Sequence, residues 1–158
     1  MTACVQRVMS ASVGIDARIA AKIEKGLLIL LGVKKGDTEE DAVYLARKCC
    51  ELRIFEDGGG KMNMSCADAG GGLLIVTNFT LCGDCSKGRR PSFDGAERPE
   101  LAYPLAERFI SECRNAGLDV KTGEFGADMK VALVNDGPVT FLLDTAEMRK
   151  NKSGGPRL

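Results

Sequence analysis

The sequence predicts a mixed, strand-rich α/β fold with two main helices, its β-sheets forming a barrel-like or a layered α/β/β arrangement. Three observations support this prediction. The chain has 158 residues, a length typical of one domain, and its hydrophobic content of 44% is ordinary for a chain that folds around a core. Short apolar runs of strand length recur along it. Two longer segments repeat apolar residues at helical spacing, which predicts the helices. The whole is expected to be one domain that covers residues 1–145.

Strands are predicted through the first third of the chain. Residues 2–9, 12–15 and 17–23 are expected to be strands, with Asp16 among the turn residues between them. Residues 26–33 form an unbroken apolar run, which indicates a strand that is buried on both faces. A later apolar run follows a glycine triplet and predicts a further strand.

Two helices are indicated by apolar spacing and by residues that favour helix ends. Asp37 or Thr38 can cap the first helix, and acidic residues follow where the helix dipole favours negative charge. The second helix runs from about residue 100 to 116, with Pro99 near its first turn and Gly117 as a natural end.

The last third of the chain predicts two strands and a tail. Residues 129–134 and 139–143 are the expected strands, and the Asn-Asp-Gly-Pro segment between them has the composition of a hairpin turn. Pro138 fits such a turn poorly, because proline removes a donor from the strand ladder. Residues 146–158 are basic, contain glycine and proline, and are expected to be disordered.

The composition excludes several kinds of catalysis. The chain has no histidine, which excludes Ser-His-Asp and Cys-His nucleophiles, His-ligated zinc hydrolysis and an imidazole base. No metal and no cofactor are predicted. Lys and Arg together number 22, as do Asp and Glu, so the net charge gives no steering toward nucleic acid, and DNA is not an expected partner.

The sequence is expected to belong to a cytoplasmic protein. Its longest apolar run is far shorter than the roughly 20 residues of a membrane helix, and its N-terminus lacks the apolar core of a signal peptide. No membrane partner is therefore expected. The seven cysteines are an odd number, which favours reduced thiols over a disulfide framework.

Cys82 and Cys85 form a C-x-x-C pair, which makes a thiol oxidoreductase an alternative function. A thioredoxin-like site places its first cysteine at a helix N-terminus, where the dipole stabilises the thiolate. Here the pair runs into residues 86–91, which have the composition of a loop. A zinc site would need two further ligands. The pair is therefore interpreted as incidental.

Residues 77–80, Thr-Asn-Phe-Thr, end the predicted strand that follows the glycine triplet. They fit a strand end that meets solvent, or a mouth where backbone N–H groups and a hydroxyl face a ligand. They also belong to a series of motifs: Val5-Gln-Arg-Val, Leu52-Arg-Ile-Phe, Lys61-Met-Asn, Thr77-Asn-Phe-Thr-Leu, Lys87-Gly-Arg-Arg-Pro-Ser-Phe, Gly123-Glu-Phe-Gly-Ala and Asn135-Asp-Gly-Pro-Val-Thr.

In these segments the sequence resembles the D-aminoacyl-tRNA deacylases of the D-tyrosyl-tRNA deacylase type. The likeness covers about residues 1–145, and seven motifs in order make it specific. The family pattern reads Ser-Gln-Phe-Thr-Leu where this chain has Thr77 and Asn78. Threonine keeps the hydroxyl, whereas asparagine shortens the amide arm by one methylene.

The resemblance implies hydrolysis of the ester that joins a D-amino acid, or a mischarged glycine, to the 3′-terminal adenosine of tRNA. Such an ester is activated, so catalysis needs oxyanion stabilisation and an oriented water more than a strong base. The backbone N–H groups of Phe79 and Thr80 are candidates for binding the carbonyl oxygen. Thr80 is also a possible nucleophile, but no base lies near it in the sequence. Thr80 is therefore expected to orient the attacking water, which the 2′-hydroxyl of the tRNA assists. Thr77 and Asn78 are the other two residues of the predicted catalytic segment.

The resemblance also implies that L-amino acids are rejected sterically. In the family a cis Gly-Pro pair, here Gly137 and Pro138, reaches into the active site of the other subunit. Its carbonyl oxygens occupy the space that an L side chain would need. Arg7 helps to hold the pair, and Asn135 belongs to the same motif. A C2 homodimer is therefore expected.

Aminoacyl-tRNA is the expected partner. Phe125 and Met129 are expected to line the adenosine pocket or the dimer seam. Lys87, Arg89 and Arg90 form a dense basic loop that either contacts tRNA phosphates or is simply solvated. A non-catalytic RNA-binding protein is a further alternative, although a net charge of zero and few aromatic residues count against it.

Overall fold

The computed structural model describes residues 1–153, with side chains as far as residue 150. The strands are β1 (Thr2–Ile15), β2 (Arg18–Ile23), β3 (Gly26–Gly32), β4 (Phe55–Glu56), β5 (Met62–Met64), β6 (Gly72–Thr77), β7 (Val120–Thr122) and β8 (Lys130–Asp144). The helices are α1 (Glu39–Glu51), α2 (Pro99–Asn115) and α3 (Thr145–Ser153), and a 3-10 turn spans Phe79–Cys82.

Six of these strands form one mixed sheet in which β1 is central. The sheet order is β2-β1-β3-β6-β7, and β8 pairs with the other edge of β1. β1 is antiparallel to β2, β3 and β8, whereas β6 is parallel to both β3 and β7. Because β2 also contacts β6 and β7, the sheet curls toward a barrel. The predicted mixed, strand-rich α/β class with a barrel-like sheet is confirmed.

The sheet is buried on both faces, so two apolar clusters form. One lies between the sheet and helices α1 and α2 and includes Leu27, Leu45 and Phe109. The other lies on the opposite face and includes Leu28 and Leu74. Neighbouring residues of β3 point into different clusters because side chains alternate along a strand. The prediction that residues 26–33 are buried on both faces is thus confirmed.

Both predicted helices are present. Thr38 rather than Asp37 caps α1: its side chain accepts from the Asp41 N–H, and the Asp41 carboxylate accepts from the Thr38 N–H at 2.9 Å. Asp37 instead contacts the Met1 ammonium at 2.5 Å. α2 begins with Pro99 in its first turn, where a missing N–H costs little.

The predicted hairpin at Asn135–Pro138 is wrong, because β8 is one continuous strand. Its first half pairs with the second half of β1, and its second half pairs with the first half of β1. Gln6 lies opposite Thr140 and Val8 lies opposite Asn135, so residues 136–139 face only Arg7. The chain therefore bulges out of the ladder and continues in the same direction. We call residues 136–139 the Gly137–Pro138 loop.

Two smaller expectations also change. Residues 2–9 and 12–15 belong to a single long strand, β1. The chain after residue 145 was expected to be disordered, but Thr145–Ser153 is helix α3. Tertiary contacts explain the helix: Thr145 N–H donates to the Met1 carbonyl at 2.9 Å, and Arg149 lies 3.1 Å from the Asp41 carboxylate. Residues 154–158 lie outside the described part of the chain.

Across residues 1–153, none of the helices has the length and apolar character needed to cross a bilayer.

The close approach of β3 and β6 gives a test of the fold. A Cβ added at Gly26 would lie 1.9 Å from the Gly72 carbonyl oxygen, so the two backbones must separate. We expect Gly26→Ala to lower the free energy of unfolding by about 3 kcal/mol, as overpacking against rigid atoms does. Urea unfolding followed by circular dichroism measures this loss. Gly58→Ala is the matched control, because no atom lies within 4 Å of its added Cβ. Equal stability of the two variants would contradict the β3–β6 register.

Candidate active site

A cavity of about 770 Å³ opens where β3 and β6 end, within the range of about 300–1,000 Å³ typical of ligand sites. Its wall comes from apolar residues of the strands, the first turn of α2 and the segment before β8: Leu28, Leu30, Val76, Pro99, Ala102, Phe125, Met129, Val131 and Leu133. The predicted catalytic residues Thr77, Asn78, Phe79 and Thr80 also line it. The structure thus brings these four together with Phe125 and Met129.

The Asn78 side chain organises this rim. Strand β6 ends at Thr77, and the Asn78 N–H donates to the Leu31 carbonyl at 2.7 Å. The Asn78 Oδ1 accepts from the Thr80 N–H at 3.1 Å and from the Thr80 hydroxyl at 2.5 Å. Asn78 therefore caps the 3-10 turn and fixes the direction of the Thr80 hydroxyl proton. The lone pairs of Thr80 Oγ1 are left to accept hydrogen bonds.

The two backbone donors predicted for a carbonyl oxygen are not equivalent. The Thr80 N–H is already bonded to Asn78, whereas the Phe79 N–H has no acceptor within the described part of the chain. Phe79 is 60% exposed, and its ring meets that of Phe93 edge-on, with 5.2 Å between ring centroids. Phe79 is thus the residue that presents a free backbone donor at the rim.

The polar groups elsewhere in the cavity are mostly engaged. Asp128 pairs with Lys130 at 2.8 Å, and Glu97 Oε1 accepts from the Arg98 N–H at 2.8 Å. Gln6 donates from its amide to the Thr140 hydroxyl at 3.2 Å. Gln6, Pro99 and the residues around Glu97 were not predicted from the sequence. Gln6 lies in the first motif of the resemblance, which gave it no role, whereas Pro99 and Glu97 have no local signal, because only the tertiary fold brings the start of α2 to this cavity.

Arg7 lies buried beside the Gly137–Pro138 loop. Its Nη1 donates to the Ile54 carbonyl at 2.6 Å, and its Nε donates to the Asp136 carbonyl at 2.9 Å. The same Nε lies 3.1 Å from the Asp136 carboxylate, and the guanidinium sits 6.0 Å from the centre of the Phe55 ring. Arg7 therefore ties the loop to the segment that leads into β4.

Asn135 closes the base of the Gly137–Pro138 loop from the other side. Its Nδ2 donates to the carbonyls of Arg7 at 2.9 Å and Val139 at 3.1 Å, and its Oδ1 accepts from the Val139 N–H at 3.3 Å. The peptide between Gly137 and Pro138 is cis. Both residues are exposed and do not line the cavity of their own chain.

The predicted basic loop follows the 3-10 turn. Lys87, Arg89 and Arg90 are exposed, and none of them forms an ion pair with another described residue. Two backbone hydrogen bonds between Asp84 and Ser92 hold the ends of this segment together. The three basic side chains are thus accessible to solvent.

The cysteine pair does not have the environment of a redox site. Burial raises the pKa of the Cys82 thiol, which also donates to the Val33 carbonyl at 3.4 Å. Cys85 is exposed, and both are free thiols. A redox-active first cysteine needs a lowered pKa. The geometry therefore does not favour the thiol oxidoreductase alternative.

An apolar cavity with a few convergent polar groups is typical of a ligand site, and here it lies in a mixed α/β fold. The family model described as D-Tyr-tRNA(Tyr) deacylase matches residues 4–144. The chain therefore belongs to this family of ester hydrolases, which confirms the resemblance inferred from its motifs.

Individual relatives agree with the family model. The D-aminoacyl-tRNA deacylase of Thermosipho africanus is 55% identical over 148 residues, covering 94% of this chain and 99% of the relative. That of Geotalea uraniireducens is 55% identical over 157 residues, covering 99% of each.

Two solved structures share the fold. One, described as a c-Myc DNA unwinding element binding protein, superposes with a TM-score of 0.86 at 38% identity, covering 91% of this chain and 98% of its own. A probable eukaryotic D-amino acid tRNA deacylase superposes with a TM-score of 0.75 at 18% identity, covering 90% of this chain and 99% of its own. At 18% identity, the second comparison shows a shared fold alone.

Proposed function

We propose that this protein hydrolyses the ester between a D-amino acid, or a mischarged glycine, and the 3′-terminal adenosine of tRNA. The products are the free amino acid and tRNA, and the site of action is the cytoplasm. The observation that supports this most is the convergence of residues 77–80 in one cavity, within a chain of the deacylase family. The remaining site features fit separate parts of such a substrate.

The Phe79 N–H is the donor best placed to stabilise the oxyanion. An aminoacyl ester develops negative charge on its carbonyl oxygen as water attacks, and a fixed donor at that position lowers the barrier. Phe79 has a free N–H, whereas the Thr80 N–H is held by Asn78. Thr80 therefore contributes little to the oxyanion through its backbone.

Thr80 orients the attacking water through its hydroxyl. Because its proton points at Asn78, the Thr80 oxygen acts as an acceptor and can hold a water or the tRNA 2′-hydroxyl by its proton. No histidine is available as a base. The shorter side chain of Asn78, where the family pattern has glutamine, acts by fixing Thr80 rather than by reaching the substrate.

The Gly137–Pro138 loop selects the chirality of the substrate in a second subunit. Gly137 and Pro138 are exposed and lie outside the cavity of their own chain, and Arg7 and Asn135 hold the two ends of the loop. Apolar side chains nearby on β8 are exposed, Val134 by 52% and Leu142 by 76%, which suits a surface covered by a partner. A C2 homodimer would place each loop at the other subunit's cavity.

The adenosine of the tRNA end binds against the apolar wall of the cavity. Phe125 and Met129 line that wall, and Tyr103 meets the Phe125 ring edge-on with centroids 5.2 Å apart. Aromatic rings of this kind stack on nucleobases without reading sequence. The basic loop, which follows the 3-10 turn in the chain, is proposed to contact phosphates of the same tRNA end.

Hydrolysis of matched D-Tyr-, L-Tyr- and Gly-tRNA by the purified protein tests this function. We expect the D-tyrosyl and glycyl esters to be cleaved and the L-tyrosyl ester to be spared. Thr80→Val should lower kcat for D-Tyr-tRNA by about 100-fold, the cost of a misplaced reactant, with little change in KM. Thr80→Ser keeps the hydroxyl and should stay within a few fold of the wild type.

Two results would contradict the proposal. Equal cleavage of the D and L esters would show that the protein does not reject L-amino acids. Cleavage of none of the three, by a protein that is folded, would support the non-catalytic RNA-binding alternative instead. A fully active Thr80→Val variant would contradict the orienting role of Thr80 but not the rest of the proposal.

The basic loop is tested by replacing Lys87, Arg89 and Arg90 together with alanine. Each phosphate contact releases counterions, so the slope of log Kd against log salt should become shallower by about 2. The matched control replaces three exposed lysines elsewhere, Lys22, Lys48 and Lys121. Binding of deacylated tRNA is measured at several salt concentrations. A slope that is the same for both triple variants would mean that the basic loop is merely solvated.

A further inference from the structure

Arg7 is a buried cation whose counter-charge comes from the residue next to Gly137. Its side chain is 7% exposed, and its contacts with the Ile54 carbonyl and the Phe55 ring are uncharged. Within the described part of the chain, Asp136 is the one carboxylate within ion-pair distance of it, at 3.1 Å. A buried cation that loses its partner is strongly unfavourable. The carboxylate of Asp136 therefore decides how firmly Arg7 is held.

Asp136 meets Arg7 through two groups. The Arg7 Nε donates to the Asp136 carbonyl at 2.9 Å and also faces the Asp136 carboxylate. The carbonyl belongs to the peptide that leads into Gly137, so its direction sets the start of the Gly137–Pro138 loop. Asn135 and Val139 hold the far end through their own hydrogen bonds. The Asp136 contacts thus complete the fixation of the loop.

We propose that Asp136 is a positioning residue for chiral selection. Its carboxylate anchors the Arg7 guanidinium, and Arg7 in turn keeps the peptide before Gly137 in the direction that excludes an L side chain. This inference rests on the proposed function of the Gly137–Pro138 loop. The family pattern, Asn-x-Gly-Pro, leaves this position open, so the ion pair comes from the residue that this chain places there.

The selectivity of Asp136 variants provides the first test. Asp136→Ala should raise hydrolysis of L-Tyr-tRNA relative to D-Tyr-tRNA by about tenfold, the size expected for one hydrogen bond to a charged group. Its kcat for D-Tyr-tRNA should stay within about twofold, because the loop is proposed to occupy the space of an L side chain and not that of a D side chain. Asp136→Asn should resemble the alanine variant, and Asp136→Glu should recover part of the selectivity. Asp119→Ala is the matched control, because Asp119 pairs with Lys121 at 3.2 Å and not with Arg7.

The exchange of the Arg7 Nε–H with solvent provides a second test that needs no activity. In nitrogen-15 spectra of the wild type and of Asp119→Ala this proton should exchange slowly, because it is buried, bonded to the Asp136 carbonyl and paired with the Asp136 carboxylate. In Asp136→Ala it should exchange at least about tenfold faster. Thermal unfolding of each variant shows that the fold is retained.

The outcomes separate this inference from the proposed function. An unchanged ratio of L to D hydrolysis in Asp136→Ala overturns the positioning role, whether or not Arg7 exchange becomes faster. A wild-type protein that cleaves no aminoacyl-tRNA contradicts the proposed function and the selectivity role with it. Slow Arg7 exchange in that protein would show that the ion pair exists but serves structure alone.

Discussion

The register of β1 against β8 is the constraint on which the rest of the structure depends. β1 runs between the two apolar clusters and pairs with β8 along nearly its whole length, from Thr2 opposite Asp144 to Gly14 opposite Lys130. In the middle, Arg7 alone faces residues 136–139, so the extra residues leave the ladder as the Gly137–Pro138 loop. A slip of this register would move Arg7 to the opposite face of the sheet and would separate it from the loop.

The same sheet also forms the cavity, at the place where strands β3 and β6 end. β3 and β6 are parallel, so their carboxyl ends meet at one place, and the chain after Thr77 turns there into the 3-10 turn. Asn78 caps that turn, which leaves the Phe79 N–H free and makes the Thr80 hydroxyl an acceptor. A chain without histidine can act on an activated ester with such groups, because stabilising charge and placing water need no strong base.

The sequence predicts most of this architecture and part of the site, for physical reasons that differ between elements. The apolar run of β3 and the cap of α1 are local signals, and the structure confirms them. The Asn-Asp-Gly-Pro segment also gives a local signal, that of a hairpin, but pairing of both halves of β8 with the distant β1 overrides it. Helix α3 is polar and was expected to be disordered, yet contacts with Met1 and Asp41 stabilise it. The bond between Asn78 and Thr80 depends on a side-chain conformation that no motif specifies.

Formation of mixed dimers tests the central claim, that the cavity of one subunit works with the Gly137–Pro138 loop of the other. Thr80→Val damages the cavity, and Gly137→Ala damages the loop, where an added Cβ would lie 2.0 Å from the Val139 nitrogen. Each variant alone should lose hydrolysis of D-Tyr-tRNA, because Thr80→Val misplaces the water and the backbone shift forced by Gly137→Ala disturbs the partner's cavity. Co-expressed chains should recover about a quarter of wild-type activity, because half of the dimers are mixed and each holds one intact pair. No recovery in verified mixed dimers would contradict the account.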